Sequence, residues 1–330
     1  GAQLNTFNIA FKDQHFFDES EHALAVAKHI GSTHHTVEVA SDDLLHEAAS
    51  LGSQLDEPFG DSSVLPMSLL CKSTAKLAKV ALSGDGADEL FAGYEKHRAH
   101  LLYQNPIARL LGSFESQIPA GHRNSKSGNL TRKIKRMAEA MKLEPQELYQ
   151  HLRSFTPTKT IQNWFNSPDW KAQEFKLHDL QEVLYLDQLL VLPNDMLTKV
   201  DSMSMKHHLE VRTPFLDSQV VAFANALNQD QKYAYTKGKT ILRQLGEKYL
   251  PESIINRPKR GFEIPLEDFL KGPLKSNFEI HLNGTFLEEL GIDKTSVLKD
   301  WNNFLAGNGT LTSSFWFLFV LFEWMNAHLK

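Results

Sequence analysis

The sequence predicts an α/β fold at its start, a parallel sheet covered by helices, followed by a mostly helical remainder. Three observations carry this. Short strand-like runs alternate with capped helical stretches as far as Leu111; helical periodicity replaces that alternation afterwards; and the apolar run Val80-Ala81-Leu82 leads into the glycine turn Ser83-Gly84-Asp85-Gly86. Strand and helix alternating at this spacing indicate parallel strands, and ligands of such sheets bind beyond the strands' carboxyl ends. The expected division is an α/β part over 1–111 and a mainly α-helical part over 112–330.

Thr6-Phe7-Asn8-Ile9-Ala10-Phe11 has the period of a strand, and Asp18-Glu19-Ser20 then offers caps for a helix that runs to Ile30 and stops at Gly31. Thr36 to Val39 is a second strand. Ser41 caps a helix through about Leu51, with Asp42 and Asp43 at its positive end. Met67 to Leu77 makes a third helix before the glycine turn. Farther on, Leu180 to Leu192, Asn194 to Met203, Ser218 to Leu227 and Lys237 to Tyr249 are the clearest helices, with Pro193, Pro214 and Pro251 at their boundaries. Two loops stand out, Glu210 to Asp217 and Arg257 to Phe262. The polar stretch Gly112 to Leu130 is expected to be a mobile connection. Phe315 to Met325 is shorter than the ~20 residues a membrane span needs, contains Glu323, and reads as a buried helix.

With 42% hydrophobic residues in 330, the chain can bury one large core or two modest ones. Its formal charge of -5 and pI near 6.3 give no general attraction to nucleic acid or an anionic membrane, so small molecules are the expected partners. Cys71 is the only cysteine, which excludes an internal disulfide and fits a reducing, cytoplasmic location. In a predicted helix with Leu69 and Leu70 beside it, it reads as an inert buried thiol. The start lacks the pattern of a signal peptide. Of the 15 histidines, the adjacent pairs His34-His35 and His207-His208 cannot face one way, and His97 with His100 lacks a third ligand. Structural zinc is therefore disfavoured.

The turn after Leu82 is the strongest chemical feature. Its glycines let backbone approach a phosphate, and the free N–H groups of a helix beginning near Ala87 or Asp88 can face anionic oxygens. Asp85, Asp88 and Glu89 would repel a bare triphosphate, a conflict that Mg²⁺ resolves, because it takes one or two carboxylates together with substrate phosphates. A tight turn whose acids complement the helix dipole explains the same residues about equally well. The segment is neither a Walker A loop nor a dinucleotide fingerprint. Lys259 and Arg260, held between Pro258 and Gly261, could lend positive charge to a departing pyrophosphate, though exposed basic residues are common. The basic run from Arg123 to Arg136 has no interleaved aromatic platform and reads as a solvated helical face.

Taken in order, several motifs resemble the synthetase domain of the glutamine-dependent asparagine synthetases and their β-lactam synthetase relatives. They are Thr6 to Phe11, Phe17-Asp18-Glu19-Ser20, Leu55 to Ser63, Ser83 to Tyr94, Leu192-Pro193-Asn194-Asp195-Met196, Lys199 to Met205, Glu210 to Asp217 and Arg257 to Phe262. The resemblance implies an adenine nucleotide alpha-hydrolase-like fold with pyrophosphatase-type ATP binding, and both parts of the chain would belong to one synthetase domain. It implies a carbon–nitrogen ligase of amino-acid biosynthesis: Mg-ATP adenylates the side-chain carboxylate of aspartate, and ammonia displaces AMP to give asparagine. Ile9, Ser83 and Gly84 fall at ATP-binding positions, Asp88 at a Mg²⁺ carboxylate and Lys259 at a phosphate-contacting lysine. Asp85 stands where several members carry a catalytic glutamate. Tyr94, Glu210, Arg212 and Asp217 match as substrate-contacting or supporting residues, with buried ion pairs an equal explanation for the last three. A homodimer is compatible with the resemblance. The alternatives are a relative that adenylates another carboxylate, and a non-catalytic scaffold.

Two family parts do not occur in these residues. There is no leading catalytic cysteine of a glutaminase domain, and no Ser-Gly-Gly-x-Asp-Ser pyrophosphate loop ahead of Thr6. The strand carrying that loop would be central to the sheet, and its absence would leave unpaired backbone groups. Residue 1 is therefore expected to be an N-terminal truncation of a longer chain, with a glutaminase domain upstream, and the isolated fragment is expected to be inactive.

Overall fold

The computed structural model describes residues 3–12, 18–118, 126–171, 173–234, 237–257, 264–307 and 309–329. It is a helix-rich α/β chain with small parallel sheets. Strand β1 (Asn5–Phe11) buries Ile9 and Phe11, two positions apart as strand periodicity requires. Helix α1 (Ser20–Ile30) starts where the Asp18 carboxylate accepts the Ser20 N–H and hydroxyl, and stops at Gly31. Strand β2 (Thr33–Val39) lies parallel to β1 in unbroken register from Asn5↔Thr33 to Phe11↔Val39. Helix α2 (Ser41–Gln54) follows.

Helix α3 (Val64–Thr74) begins three residues before the expected Met67, taking Pro66 into its first turn. Proline is tolerated there because first-turn N–H groups have no intrahelical acceptor to lose. Strand β3 (Val80–Leu82) then leads into the glycine turn, helix α4 (Ala87–Phe91) and helix α5 (Glu95–Tyr103). The partner of β3 comes from far down the chain. Strand β4 (Glu210–Arg212), expected to be loop, pairs parallel with it, Val80↔Glu210 to Leu82↔Arg212. Three residues are too few to display an alternating pattern, so only the pairing defines this strand.

Pro193 does not break its helix, contrary to expectation. The backbone runs as α-helix Leu180–Leu186, then π-helix Asp187–Leu197 with Pro193 inside, then α-helix Thr198–Lys206. The wider turn accommodates the missing N–H, and the Thr198 hydroxyl donates to the Pro193 carbonyl at 2.8 Å. The helix expected over Lys237 to Tyr249 is reduced to Thr240–Gly246, because Lys237–Gly238 pairs antiparallel with Tyr233–Ala234 and Lys239 adopts a left-handed φ of 57°.

Two compact units emerge, each assembled from separate stretches. The first comprises Gly1–Leu44, Ser63–Arg98 and His178–Ile264; the second comprises Leu45–Ser62, Ala99–Leu177 and Pro265–Lys330. The expected 111/112 boundary falls inside the second. That unit has an aromatic core: Phe278, fully buried, lies with its ring centroid 4.9 Å from Trp301 and about 6 Å from Phe315, Phe319 and Phe322. The last three sit on the helix Thr312–His328, which is buried as its composition predicts. No single helix among the described residues is long and apolar enough to cross a membrane. In the basic stretch, Arg136 is not simply solvated, since its guanidinium donates to the carbonyls of His151, Leu152 and Ser154. Residues 119–125 of the expected mobile connection lie outside the described residues.

Candidate active site

Everything described below lies in the first unit. Pairing with β4 fixes the end of β3, where the Ser83 N–H donates to the Arg212 carbonyl at 2.9 Å. The Ser83 hydroxyl then donates to Asp85 Oδ2 at 2.6 Å, so one end of the turn is tied by side chain as well as backbone. Gly84 opens onto free space, with no atom within 4 Å of where a Cβ would stand. Gly86 is the opposite case: its φ of 88° suits glycine, and a Cβ would stand 2.4 Å from Leu216. The turn thus presents Ser83, Gly84 and Asp85 outward while Gly86 is packed.

Ser83 and Asp85 border a cleft of about 590 Å³, largely apolar, whose walls include Phe7, Leu70, Cys71 and Ala81. It lies where two separate two-stranded parallel pairs, β1–β2 and β3–β4, face a common space. Among the described residues neither β1 nor β3 has a second strand partner. Leu4 and Leu82 are correspondingly exposed, at 59% and 72%. Cys71 is buried in the cleft wall, where desolvation pushes its thiol up to about 11, in keeping with an inert thiol. Ile9 is not among the residues lining the cleft. It sits inside β1 rather than at its end, and its carbonyl accepts from the Asn8 side-chain amide at 3.0 Å.

Asp88, in the first turn of α4, pairs with Lys239 Nζ at 3.0 Å, both side chains being less than a third exposed. Glu89 points the other way and is buried. Burial raises its carboxyl above the ordinary value, while a 2.5 Å hydrogen bond from the Tyr94 hydroxyl pulls it down. Burial and the neighbouring Glu89 charge push the Tyr94 phenol far up, so Tyr94 is a neutral donor. It supports Glu89 from within the fold. Beyond it, the Tyr94 N–H donates to His97 Nδ1 at 3.2 Å, which leaves His97 Nε2 to carry the proton donated to Asp187 at 2.7 Å. Burial holds the His97 imidazole below its usual value. Burial alone would raise the fully buried Asp187, but the His97 hydrogen bond and the Lys96 ammonium at 2.7 Å outweigh it and hold the carboxyl low. This buried chain of polar groups fixes the segment that carries Asp88.

Glu210 and Arg212 form an ion pair at 2.7 Å, but an exposed one, at 56% and 64%. The alternative of a buried supporting pair is thereby corrected. β4 is short and its side chains at these alternate positions share one open face. Lys259 lies outside the described residues; Arg257, two residues earlier, pairs with Glu19 at 2.7 Å. Sequence reasoning missed Lys96, His97, Asp187 and Lys239. About 90 residues separate His97 from Asp187, so no local pattern could have joined them.

The donor chemistry fits Mg²⁺ held together with phosphates. Asp88 offers a hard oxygen donor in the first turn of α4, and no cluster of three or more His, Cys, Asp or Glu side chains able to hold a metal occurs among the described residues. One or two carboxylates completed by nucleotide oxygens is the usual Mg²⁺ arrangement, whereas an all-protein cage needs more ligands.

Comparison with known proteins agrees with this reading of the motifs. The family model for asparagine synthase matches residues 1–326. The chain is 28% identical over 331 residues to a candidate glutamine-hydrolysing asparagine synthetase of Mycobacterium tuberculosis, covering 98% of this chain and 50% of the relative. It is 24% identical over 336 residues to asparagine synthetase [glutamine-hydrolysing] 1 of Bacillus subtilis, covering 99% and 52%. It is also 24% identical over 336 residues to amidase chyE of Penicillium rubens, covering 91% and 48%. The chain spans about half the length of these curated relatives. With the family model covering nearly its whole length, the chain belongs to the asparagine synthase family.

Proposed function

We propose that the chain is the synthetase part of an ATP-dependent, amide-forming ligase that makes asparagine from aspartate and ammonia through aspartyl-AMP. The carrying observation is the turn after β3, where outward Ser83, Gly84 and Asp85 adjoin Asp88 on a buried polar support. In this reading the fold is adenine nucleotide alpha-hydrolase-like. A strand seated between β1 and β3 would pair both inner edges, and the apolar cleft supports assigning that place to the strand bearing a pyrophosphate loop.

The turn's backbone and the Ser83 hydroxyl hold the nucleotide. Ile9 contributes through its backbone, which requires its carbonyl to exchange the Asn8 amide for the nucleotide. Asp88 holds Mg²⁺, which when bound neutralises phosphate charge, and Lys259 adds positive charge toward the pyrophosphate. An aspartate carboxylate oxygen attacks the α-phosphorus and pyrophosphate leaves. Ammonia then attacks the acyl carbon, AMP departs, and Asp85 takes the surplus proton from nitrogen. Its carboxylate accepts the Ser83 hydroxyl, which holds it in place in the turn. The curated relatives are named glutamine-hydrolysing and are about twice as long, so glutamine-derived ammonia from a partner domain is proposed for the parent protein, with a cytoplasmic location and a homodimer as further proposals.

A second reading is a ligase for another carboxylate, favoured by the similarity, over 91% of this chain, to a relative named as an amidase. ATP–pyrophosphate exchange on the full parent chain separates the two. The expected result is exchange that depends on aspartate; exchange driven by another acid selects the second reading, and no acid-dependent exchange overturns both.

A further inference from the structure

Lys239 lies outside every motif that carries the family resemblance, yet the fold is shaped around it. It precedes the helix Thr240–Gly246 in a left-handed conformation, φ 57°, which is uncommon for a residue with a side chain. Its backbone N–H donates to the Phe91 carbonyl at 2.8 Å, which ties it to the last residue of α4. Ala92 is also left-handed, φ 60°, and the Gly93 N–H returns to the Asp88 carbonyl at 3.0 Å. These bends bring the ammonium to Asp88 Oδ1 at 3.0 Å. Gly93 permits the approach: a Cβ there would stand 1.7 Å from Asp88 Oδ1 and 2.4 Å from Lys239 Cε.

We propose that Lys239 is the positioning counter-ion of Asp88 in the metal-free protein, and that a divalent cation must displace it from that carboxylate to bind. The inference rests on the proposed metal role of Asp88. Two left-handed residues side by side are unfavourable backbone geometry, and here they serve to bring a cation to one carboxylate. The ammonium offsets the repulsion between the Asp88 carboxylate and the neighbouring Glu89 and holds Asp88 in the turn. The lysine is flexible beyond its anchored backbone, so it can withdraw as a harder dication arrives. Lys239 therefore keeps the site assembled at the expense of metal affinity.

The test is Mn²⁺ binding to the full chain without nucleotide, followed by electron paramagnetic resonance of the free ion, with near-ultraviolet circular dichroism to verify folding. Lys239→Met is expected to bind Mn²⁺ about tenfold more tightly than wild type, equivalent to about 1.4 kcal/mol. Lys239→Arg, which keeps the charge, should stay near wild type, as should Lys237→Met, which removes an exposed neighbouring lysine. Asp88→Asn should abolish the gain when combined with Lys239→Met. Unchanged or weaker binding by Lys239→Met, with binding still dependent on Asp88, overturns the counter-ion inference and leaves the metal role intact. Binding indifferent to Asp88→Asn overturns the metal role itself, and binding by no form overturns the counter-ion inference, because removing the lysine then opens no cation site. Should Lys239→Met fail the folding check, Lys239→Gln, which removes the charge but keeps a polar end, is measured with the same outcomes.

Discussion

The two units bury their side chains for different purposes. In the second, burial is aromatic: Phe278 sits among Trp301, Phe315, Phe319 and Phe322, and Trp164 lies tilted against Phe315 while its indole N–H reaches Asp300 at 2.9 Å. In the first, the closed region beside the candidate site buries charge: Asp187 and His97 at 0% and Glu89 at 1% exposure. The same unit also leaves strand positions open, with Leu82 at 72%. Aromatic packing gains chiefly from buried area, with a smaller preference for edge-on geometry, whereas a buried ionic chain has to satisfy every member. The comparison teaches where stability is made and where geometry is specified. The second unit supplies the former and the first the latter.

The largest effect that would sharpen or break this contrast is at Phe278. Phe278→Ala removes a fully buried ring from the centre of its cluster and is expected to lower stability by about 3–5 kcal/mol. Urea unfolding measures it. A loss below about 1 kcal/mol, the level of an ordinary surface change, would mean that the aromatic cluster is not the stabilising core it resembles.

The next effect concerns the buried charges. Asp187→Asn presents an amide to two donors, His97 Nε2–H and the Lys96 ammonium, and can accept from both only through one oxygen. The expected loss is about 1.5–3 kcal/mol, smaller than at Phe278. Acid titration of stability isolates the cause. Asp187 is held low in the fold, so its contribution is present above the unfolded carboxyl value of about 3.9 and is lost as pH falls through the still lower folded value. That limb should be missing from the variant and so appear in the difference between wild type and variant. His97 is also held low, so unfolded His97 takes up a proton below about pH 6.5 before the folded residue does, and stability falls with pH from there. This second limb should persist in the variant. If the wild-type and variant curves run parallel through the acid range, the Asp187 assignment fails.

Legibility in the sequence followed the range of the interactions. Strands β1 and β2, helix α1 with its stop at Gly31, and the turn at Gly86 are local, and their capping and alternation could be read directly. Pro193 misled because proline ends a helix only when the backbone keeps the α pitch, and here the π-helical turn relieves it. β4 was invisible because its identity comes from β3, some 130 residues earlier. The candidate site was half legible. Ser83, Gly84, Asp85 and Asp88 share one turn, while the groups that hold it, Lys239 and Asp187, arrive from remote parts of the chain and carry no motif of their own.

The smallest effect separates two meanings of a motif residue. Arg212 and Glu210 match the family, but their ion pair lies open to water, where screening and side-chain entropy leave little net stabilisation. Arg212→Ala is therefore expected to leave the urea midpoint unchanged, which unfolding of the purified chain checks. The backbone of Arg212 stays in place under the substitution, and its carbonyl still receives the Ser83 N–H, so the turn should keep its shape. Any loss of acid-dependent exchange in the parent protein must then come from the guanidinium meeting a ligand rather than from a weakened fold. A drop in the midpoint comparable with that of Asp187→Asn would reverse this reading, making the pair a structural element of the first unit and removing the division between its open, ligand-facing charges and its buried, supporting ones.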